Sequence, residues 1–190
     1  MVFHPKWEIG FEVVLLPGKS SIPHLIEVGR IPDSRGFFSE LFRTSPQDPI
    51  SEYQVNHSRS TEGVLRGMHY SNRPIWKKIF CIRGSIQGAV INLSRDKGKL
   101  GQISYYQLDE KSSSVYFVPE NYAHGFQVLS DVADVIYVTS ALYSKNDDFA
   151  IDALDSDLKI EWNFKEIIRS ERDTNAMSWQ NYLALPKLPN

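Results

Sequence analysis

The chain has 190 residues, a length typical of one domain, and 42% of them are hydrophobic, which suffices for a sizeable core. Its 21 Lys and Arg against 23 Asp and Glu leave a formal charge of −2, which argues against nucleic-acid binding and a polybasic membrane patch. The single cysteine excludes an intramolecular disulfide and a cysteine-rich zinc site. Because we find neither a membrane-span run nor a signal-peptide pattern, we expect one cytoplasmic domain over residues 1–190.

Short strand signals recur along the chain, each bounded by turn residues such as Gly, Pro, Asn, Asp and Ser. About eleven strands without alternating helices predict a β-sandwich or β-barrel. A short helix is predicted over Phe164–Ser170, followed by a tail packed over the barrel, so the fold class is all-β with a C-terminal helical appendage. The predicted strands are Glu12–Leu16, Pro23–Val28, Phe37–Phe42, Tyr53–Ser58, Gly63–His69, Lys77–Ile82, Ser85–Leu93, Gln102–Leu108, Ser114–Val118, Gly125–Leu129 and Ala133–Tyr143.

One predicted strand, YQVNHSRS, carries polar residues at every second position. Gln54, Asn56 and Ser58 therefore share one face, while Val55 and His57 point the other way. Two interpretations stay open at this point. The polar face is either simply exposed, or it forms a floor of hydrogen-bonding side chains for a hydroxylated ligand.

Two further segments combine histidines with basic residues. GVLRGMHYSNRPIWKK carries Arg66, His69 and Lys77, and in VPENYAHGF a turn leads into His124. A lone strand histidine is often structural. However, the glycines on either side of Arg66 suggest a place where backbone and ligand come close.

Two tyrosines and a charged pair complete the candidates. Tyr137 and Tyr143 are six residues apart, so they share a strand face if no bulge intervenes. Buried tyrosines are also ordinary core residues with one satisfied hydroxyl. In RSERD, Arg172 and Asp173 lie in the C-terminal appendage, where a charge cluster is by default solvated surface.

Metal and phosphate-loop sites have no support in the pattern. The histidines form no HxH pair and lack a nearby carboxylate at ligand spacing, so we expect no catalytic metal. Without a glycine-rich phosphate loop, a Rossmann or P-loop interpretation fails.

Taken together, these segments resemble one family, the dTDP-4-dehydrorhamnose 3,5-epimerases (RmlC-like cupins). The match covers roughly Asp33 to Ala176 in the family's order, and GVLRGMHY together with AHGF in one all-β chain is a specific signature. The matching segments are DSRGFFSELF, YQVNHSRSTEGVLRGMHY, KKIFCIRGSI, GKLGQ, PENYAHGFQVLS, IYVTSALYS and RSERD. The resemblance implies a cupin-type β-jelly roll that forms a homodimer, in which an N-terminal segment pairs with the partner subunit.

The resemblance also implies roles for individual residues. His69 matches the general base, Asp173 the carboxylate that orients it, and Lys77 the lysine near the keto oxygen. Tyr137 matches the proton donor, and Tyr143 the aromatic residue that stacks on thymine. The positions that match other substrate contacts are Arg35, Glu40, Gln54, Asn56, Arg66, His124, Asp148 and Arg172.

The implied reaction inverts C3 and C5 of a dTDP-4-keto-6-deoxyhexose, converting dTDP-4-dehydro-6-deoxy-D-glucose to dTDP-4-dehydro-L-rhamnose. The keto group acidifies the hydrogens on both carbons, and imidazole, with an ordinary pKa of about 6.5, is a suitable base. Inversion needs a second acid across the sugar, which a phenol can supply. No metal or nicotinamide cofactor is required, so the expected partners are a dTDP-sugar and a second copy of the chain.

Two alternatives stay open. One is a C3- or C5-monoepimerase acting on a related nucleotide-4-keto sugar, and the other is a non-catalytic cupin that binds sugar nucleotides. The chain departs from the family where an FDVAVDLR-like strand reads QGAVINLS, with Gly88, Asn92 and Ser94 replacing charged residues. A binding module needs no base-and-acid pair, so the presence of His69, Asp173 and Tyr137 together favours an enzyme.

Overall fold

The computed structural model describes residues 20–44, 52–95, 98–112 and 114–186. Within them lie twelve strands and two short helices. The predicted strand Glu12–Leu16 falls outside the described residues, and the single domain over 1–190 stays a prediction. The elements are β1 His24–Glu27, β2 Ile31–Asp33, β3 Gly36–Phe38, β4 Gln54–Thr61, β5 Leu65–Ser71, β6 Lys77–Arg83, β7 Ser85–Asn92, β8 Ile103–Asp109, β9 Ser114–Val118, β10 Tyr122–Val128, β11 Val132–Thr139, β12 Asp148–Ala150, α1 Glu171–Thr174 and α2 Trp179–Ala184.

Two antiparallel five-stranded sheets face each other. The first has the order β1-β9-β6-β11-β4, and the second has the order β12-β5-β10-β7-β8. Strands β2 and β3 form a separate hairpin that pairs with neither sheet. The all-β prediction is confirmed. Strands that follow one another in the sequence often lie in different sheets, as they do in a jelly roll.

Apolar residues fill three layers. Between the sheets, Ile79 of β6 and Val135 of β11 pack with Phe126 of β10. The C-terminal tail covers the outer face of the second sheet, where Tyr182 joins the cluster of Met68. The outer face of the first sheet holds a third cluster, against which residues of the segment before β4 pack. Strands that are apolar on both faces are therefore covered on both sides by this chain itself.

The predicted helix over Phe164–Ser170 is wrong. The carboxamide of Gln127 takes both backbone groups of Phe164: it accepts from the N–H at 3.0 Å and donates to the carbonyl at 3.3 Å. Further along, the carbonyl of Ile168 accepts from the N–H of Leu65 at 2.9 Å. Because these backbone groups pair with the sheet region, they cannot form helical hydrogen bonds. The helices begin after this segment, at α1 and α2.

Glycines set how closely β5 and β10 approach. A Cβ on Gly67 would lie 2.6 Å from the Cα of Gly125, so the two backbones touch there. The close neighbours of this glycine are thus backbone atoms of the chain rather than a ligand. In the same pair of strands, β5 and β10, His69 lies directly opposite His124.

The altered QGAVINLS strand has a steric explanation at one position. A Cβ on Gly88 would lie 1.8 Å from Cζ of Tyr106, so the tyrosine ring occupies the space a side chain would need. Tyr106 is itself buried and stacks on Tyr116, with ring centroids 3.8 Å apart. A residue larger than glycine at position 88 would therefore collide with the tyrosine on the neighbouring strand.

Among the described residues no helix has the length and apolar character that crossing a membrane requires. A cytoplasmic location stays a prediction from the sequence.

Candidate active site

A polar cavity of about 240 Å³ opens at one end of the two sheets. We call it the polar pocket. Both sheets contribute to it, together with the loop that follows β11. Its lining residues are Gln54, Asn56, Ser58, Arg66, His69, Ser71, Ile75, Lys77, His124, Tyr137, Thr139, Ala141, Leu142, Tyr143, Ser144, Asp147 and Asp148.

A histidine–carboxylate pair lies at one wall of this pocket. Nε2 of His69, on β5, is 2.7 Å from Oδ1 of Asp173, on α1. The aspartate side chain is only 5% exposed, whereas that of His69 is 25% exposed. When the carboxylate accepts the Nε2 proton, the lone pair lies on Nδ1, so the pair is arranged as a base.

Local hydrogen bonds place the carboxylate. Ser170 caps α1 by accepting the N–H of Asp173 at 3.1 Å. The second carboxylate oxygen accepts the N–H of Gly67 at 3.4 Å. Burial alone would raise the pKa of Asp173, but the hydrogen bonds from His69 and Gly67 outweigh it and lower that pKa below its usual range. Asp173 therefore stays ionised beside the imidazole.

Lys77 and His124 form a second pair that spans the two sheets. Nζ of Lys77, on β6, is 2.8 Å from Nε2 of His124, on β10. Burial lowers the pKa of Lys77 to about 8. Burial and the charge of Lys77 hold the pKa of His124 well below its ordinary value, so the imidazole is neutral and accepts from the ammonium. The pair presents a cation inside a partly enclosed pocket.

Tyr137 reaches the pocket from the first sheet, through β11. Its ring centroid is 6.2 Å from that of His124, and the rings of His124 and His69 are 6.3 Å apart. Burial raises the pKa of Tyr137 to about 12, although Ser58 and Arg66 act in the opposite direction. The phenol thus keeps its proton at neutral pH. Base and phenol lie on strands of opposite sheets.

The polar face of β4 lines the pocket as a floor, which confirms the alternation predicted from the sequence. Gln54, Asn56 and Ser58 all contribute to the lining, while Val55 is exposed on the other face. Nε2 of Gln54 donates to Oδ1 of Asn56 at 2.7 Å. The carboxamide oxygen of Gln54 accepts the N–H of Tyr143 at 2.7 Å.

Tyr143 reaches the pocket by a different route from the one predicted. Strand β11 ends at Thr139, so Tyr137 and Tyr143 do not share a strand face. The loop after β11 instead folds back over Gln54 and presents the exposed Tyr143 ring at the pocket rim. The two tyrosines still line the same cavity.

An ion pair marks another part of the rim. Nη1 of Arg172 is 2.7 Å from Oδ2 of Asp148, and Nη2 donates to the Asp148 carbonyl at 3.2 Å. Asp148 lines the pocket directly. Deeper inside, Nε of Arg66 donates to Oγ of Ser60 at 3.0 Å, which fixes the guanidinium over the β4 floor. This role of Ser60 was not predicted, although its period-two spacing from Ser58 places it on the same face of β4.

Two predicted substrate contacts lie elsewhere. Arg35 is on the β2–β3 hairpin, where it pairs with Asp33, and Glu40 pairs with Arg43 just beyond that hairpin. Neither Arg35 nor Glu40 lines the polar pocket. This chain's own fold therefore does not bring them to the other candidates.

A larger cavity of about 390 Å³ lies beside Trp76 and the turn between β9 and β10. No histidine occurs in its described lining, so it offers no counterpart to the base of the polar pocket. In the described parts of the chain, no three His, Cys, Asp or Glu side chains are grouped to hold a metal ion.

Comparison with known proteins identifies the family. Residues 21–181 match the family model described as dTDP-4-dehydrorhamnose 3,5-epimerase. The chain belongs to this family. Among curated epimerases of this name, that of Shigella flexneri is 32% identical over 170 residues, covering 85% of this chain and 94% of the relative. The resemblance inferred from the motifs is confirmed.

Solved structures of the epimerases share the fold. A dTDP-6-deoxy-D-glucose-3,5-epimerase from Legionella pneumophila, in complex with dTDP-4-keto-L-rhamnose, has a TM-score of 0.77 at 28% identity, covering 89% of this chain and 93% of that one. A double mutant of a 3'-monoepimerase from Streptomyces bikiniensis, in complex with dTDP, has a TM-score of 0.80 at 26% identity, covering 90% of this chain and 92% of that one. The cupin-type jelly roll predicted from the sequence is thereby confirmed.

Proposed function

We propose that the protein is an isomerase that inverts both C3 and C5 of a dTDP-4-keto-6-deoxyhexose, giving dTDP-4-dehydro-L-rhamnose from dTDP-4-dehydro-6-deoxy-D-glucose. Family membership supports the reaction class. One observation supports a working site: His69, hydrogen-bonded to Asp173 outside the pocket lining, and the protonated Tyr137 phenol line one pocket from opposite sheets.

Proton removal falls to His69 in this proposal. Loss of a proton from C3 or C5 gives an enolate conjugated with the C4 carbonyl, which lowers the barrier to breaking the C–H bond. The Nδ1 lone pair accepts that proton while Asp173 stabilises the resulting imidazolium. Such a base contributes on the order of 10²- to 10⁴-fold to the rate.

The enolate oxygen is assigned to Lys77. Its ammonium donates one hydrogen bond to His124, which leaves two protons for the developing charge on O4. In a partly buried pocket, such a donor is worth more than in water. The neutral His124 also positions the lysine, because its hydrogen bond holds Nζ in place.

Inversion requires the new proton to arrive from the opposite face, and Tyr137 is the assigned donor. Its raised pKa keeps the phenol protonated, and a strongly basic enolate can still take the proton. Arg66 lowers the cost of the tyrosinate that remains, since its positive charge stabilises the anion.

The nucleotide is assigned to the pocket rim. The exposed Tyr143 ring offers a stacking surface for thymine, and Arg172 offers a forked donor for the diphosphate. Gln54 and Asn56 supply carboxamides for sugar hydroxyls. In this scheme the reaction needs no metal and no redox cofactor, because every step is a proton transfer.

We assign Arg35 and Glu40 to the pocket of a partner subunit in a homodimer. The hairpin that carries Arg35 pairs with neither large sheet, and its Phe37 and Phe38 side chains are 58% and 65% exposed. A second copy would bury these rings and receive Arg35 at its own pocket.

Mixed dimers test this arrangement. Arg35→Glu and His69→Ala subunits are each expected to be inactive, but a dimer of one of each should regain one working pocket. A dimer of wild-type and doubly substituted subunits should have none. The reverse pattern, or a monomer by light scattering at micromolar concentration, would contradict the assignment.

A second candidate function is inversion at one carbon only. Both a 3'-monoepimerase and 3,5-epimerases share this fold, so the fold is compatible with either outcome. The two differ only in which carbon loses its proton and regains it from the opposite side.

Proton NMR of dTDP-4-keto-6-deoxyglucose with the protein in D2O separates these functions. We expect loss of both the H3 and H5 signals and appearance of a new sugar spin system. Loss of one signal would establish a monoepimerase. Ligand binding without exchange at either carbon would leave a sugar-nucleotide-binding protein and reject both enzymatic proposals.

A further inference from the structure

An ion pair outside the polar pocket connects the segment next to His69 with the segment that carries Asp173. Nη1 of Arg169 lies 2.5 Å from Oδ1 of Asp152. Their side chains are 14% and 29% exposed, so solvent screens the pair only partly. Neither residue lines the pocket. Arg169 is the first residue of the RSERD segment, whereas Asp152 lies outside all the segments that carry the family resemblance.

On one side, the pair is attached to the strand that carries the base. Asp152 directly follows Ile151, which exchanges both backbone hydrogen bonds with Met68 at 2.9 and 3.0 Å. Met68 is the residue before His69. The carboxylate of Asp152 therefore has a fixed position relative to the imidazole.

On the other side, the pair is attached to the helix that carries the orienting carboxylate. Arg169 precedes Ser170, the residue that caps α1, and its Nη1 also donates to the Asp173 carbonyl at 3.4 Å. Helix α1 has four residues, Glu171–Thr174, which is too short to be stable on its own. External contacts must therefore set where Asp173 lies.

We infer that Asp152 and Arg169 are positioning residues that hold Asp173 at hydrogen-bonding distance from His69. The inference rests on the proposed function, because it concerns the geometry of the same base. Neither residue touches the substrate. They act by fixing α1 against the segment that pairs with β5.

A double-mutant cycle tests the inference by the rate of deuterium incorporation at the sugar carbons. Asp152→Asn and Arg169→Gln should each lower kcat about 10-fold or more, with little change in KM, because small misplacements of a catalytic group are costly. In the Asp173→Asn background the same substitutions should have no further effect. Arg169→Lys keeps the charge and should recover part of the loss.

Asp155→Asn is the matched control. Asp155 accepts the N–H of Trp179 at 2.8 Å and so ties down the same tail, but at α2 rather than at α1. This variant should lower the thermal unfolding midpoint while leaving kcat unchanged. If Asp152→Asn does not fold, Asp152→Glu and Arg169→Lys provide the same comparison with milder changes.

The outcomes separate the two proposals. Absence of exchange in the wild-type protein would reject the proposed function. If the wild type exchanges but Asp152→Asn behaves like Asp155→Asn, or if its effect persists in the Asp173→Asn background, the positioning role is wrong.

Discussion

Two histidine–aspartate pairs in this protein have nearly the same geometry but different surroundings. At the wall of the polar pocket, His69 and the Asp173 behind it are 2.7 Å apart, and on the outer face of β4, His57 and Asp134 are 2.8 Å apart. Both aspartates are 5% exposed. Interatomic distance alone therefore does not distinguish a catalytic pair from a structural one.

The neighbours make the difference. Asp134 also accepts two hydrogen bonds from Arg59, at 2.8 and 2.9 Å, so its charge is already compensated by a cation. His57 is 53% exposed and does not line the polar pocket. His69 lines the pocket with Lys77 and Tyr137. A histidine–carboxylate pair can serve as a base when a cation and an acid line the same pocket as the histidine. At His57 the cation is instead bound to the carboxylate.

The largest expected effect separates the two histidines. His69→Ala should lower deuterium exchange at the sugar carbons by about 10²- to 10⁴-fold, because it removes the base. His57→Ala is the matched control and should leave the rate unchanged. Exchange is followed by proton NMR in D2O. Equal losses in both variants would show that the pocket does not select the working histidine.

The second-largest effect separates the two aspartates, Asp173 and Asp134, by their influence on kcat. Asp173→Asn should lower kcat on the order of 10²-fold, because an amide does not stabilise imidazolium and can hold the wrong tautomer. Asp134→Asn should leave kcat unchanged. Steady-state kinetics at neutral pH measure both. A normal kcat for Asp173→Asn would remove the carboxylate from the account.

The cations of the two regions are expected to titrate differently. Burial lowers the pKa of Lys77 to about 8, whereas pairing with Asp134 raises that of Arg59. The ammonium is present below pH 8, so kcat/KM should fall about tenfold for each pH unit above that value. A pH–rate profile measures this alkaline limb.

Lys77→Arg provides the control for that limb. Arginine stays protonated throughout the measurable range, so the variant should be slower but should lose the decline near pH 8. If the decline remains in Lys77→Arg, another group is responsible for it.

The smallest expected effect concerns acid stability. Hydrogen bonds from Arg59 and His57 hold the pKa of Asp134 at about 2, although burial opposes them. A carboxyl whose pKa is lowered in the folded state stabilises it above the unfolded pKa, near 3.8, and loses that contribution as pH falls towards 2. Asp134→Asn should lack this component between pH 4 and pH 2, as measured by thermal unfolding midpoints. An unchanged acid dependence would contradict the shift.

The strand pattern predicted much of the fold. Period-two spacing placed Gln54, Asn56 and Ser58 on one face, and the recurring short strand signals predicted an all-β fold. The helix over residues 164–170 was wrong because Gln127, far away in sequence, captures the backbone there. Such pairing between a side chain and distant backbone has no local signal.

The candidate site was predicted mainly through the family resemblance. His69 and Asp173 are 104 residues apart, so periodicity could not pair them. Tyr143 entered by a loop rather than by strand alternation, because β11 ends at Thr139. Arg169 lies in the RSERD segment, but nothing in the sequence pairs it with Asp152, and that ion pair became visible only in the structure.

The most direct test of the central claim, that base and acid act from opposite walls, uses Tyr137→Phe with dTDP-4-keto-6-deoxyglucose in D2O. His69 should still remove protons and return deuterium to the same face. The recovered substrate should therefore contain deuterium without inversion, while epimerised product falls about 10²-fold or more. Tyr122→Phe, a phenol outside the pocket, should behave as wild type. Epimerised product at the wild-type rate in Tyr137→Phe, or its loss without any deuterium in the substrate, would contradict the account.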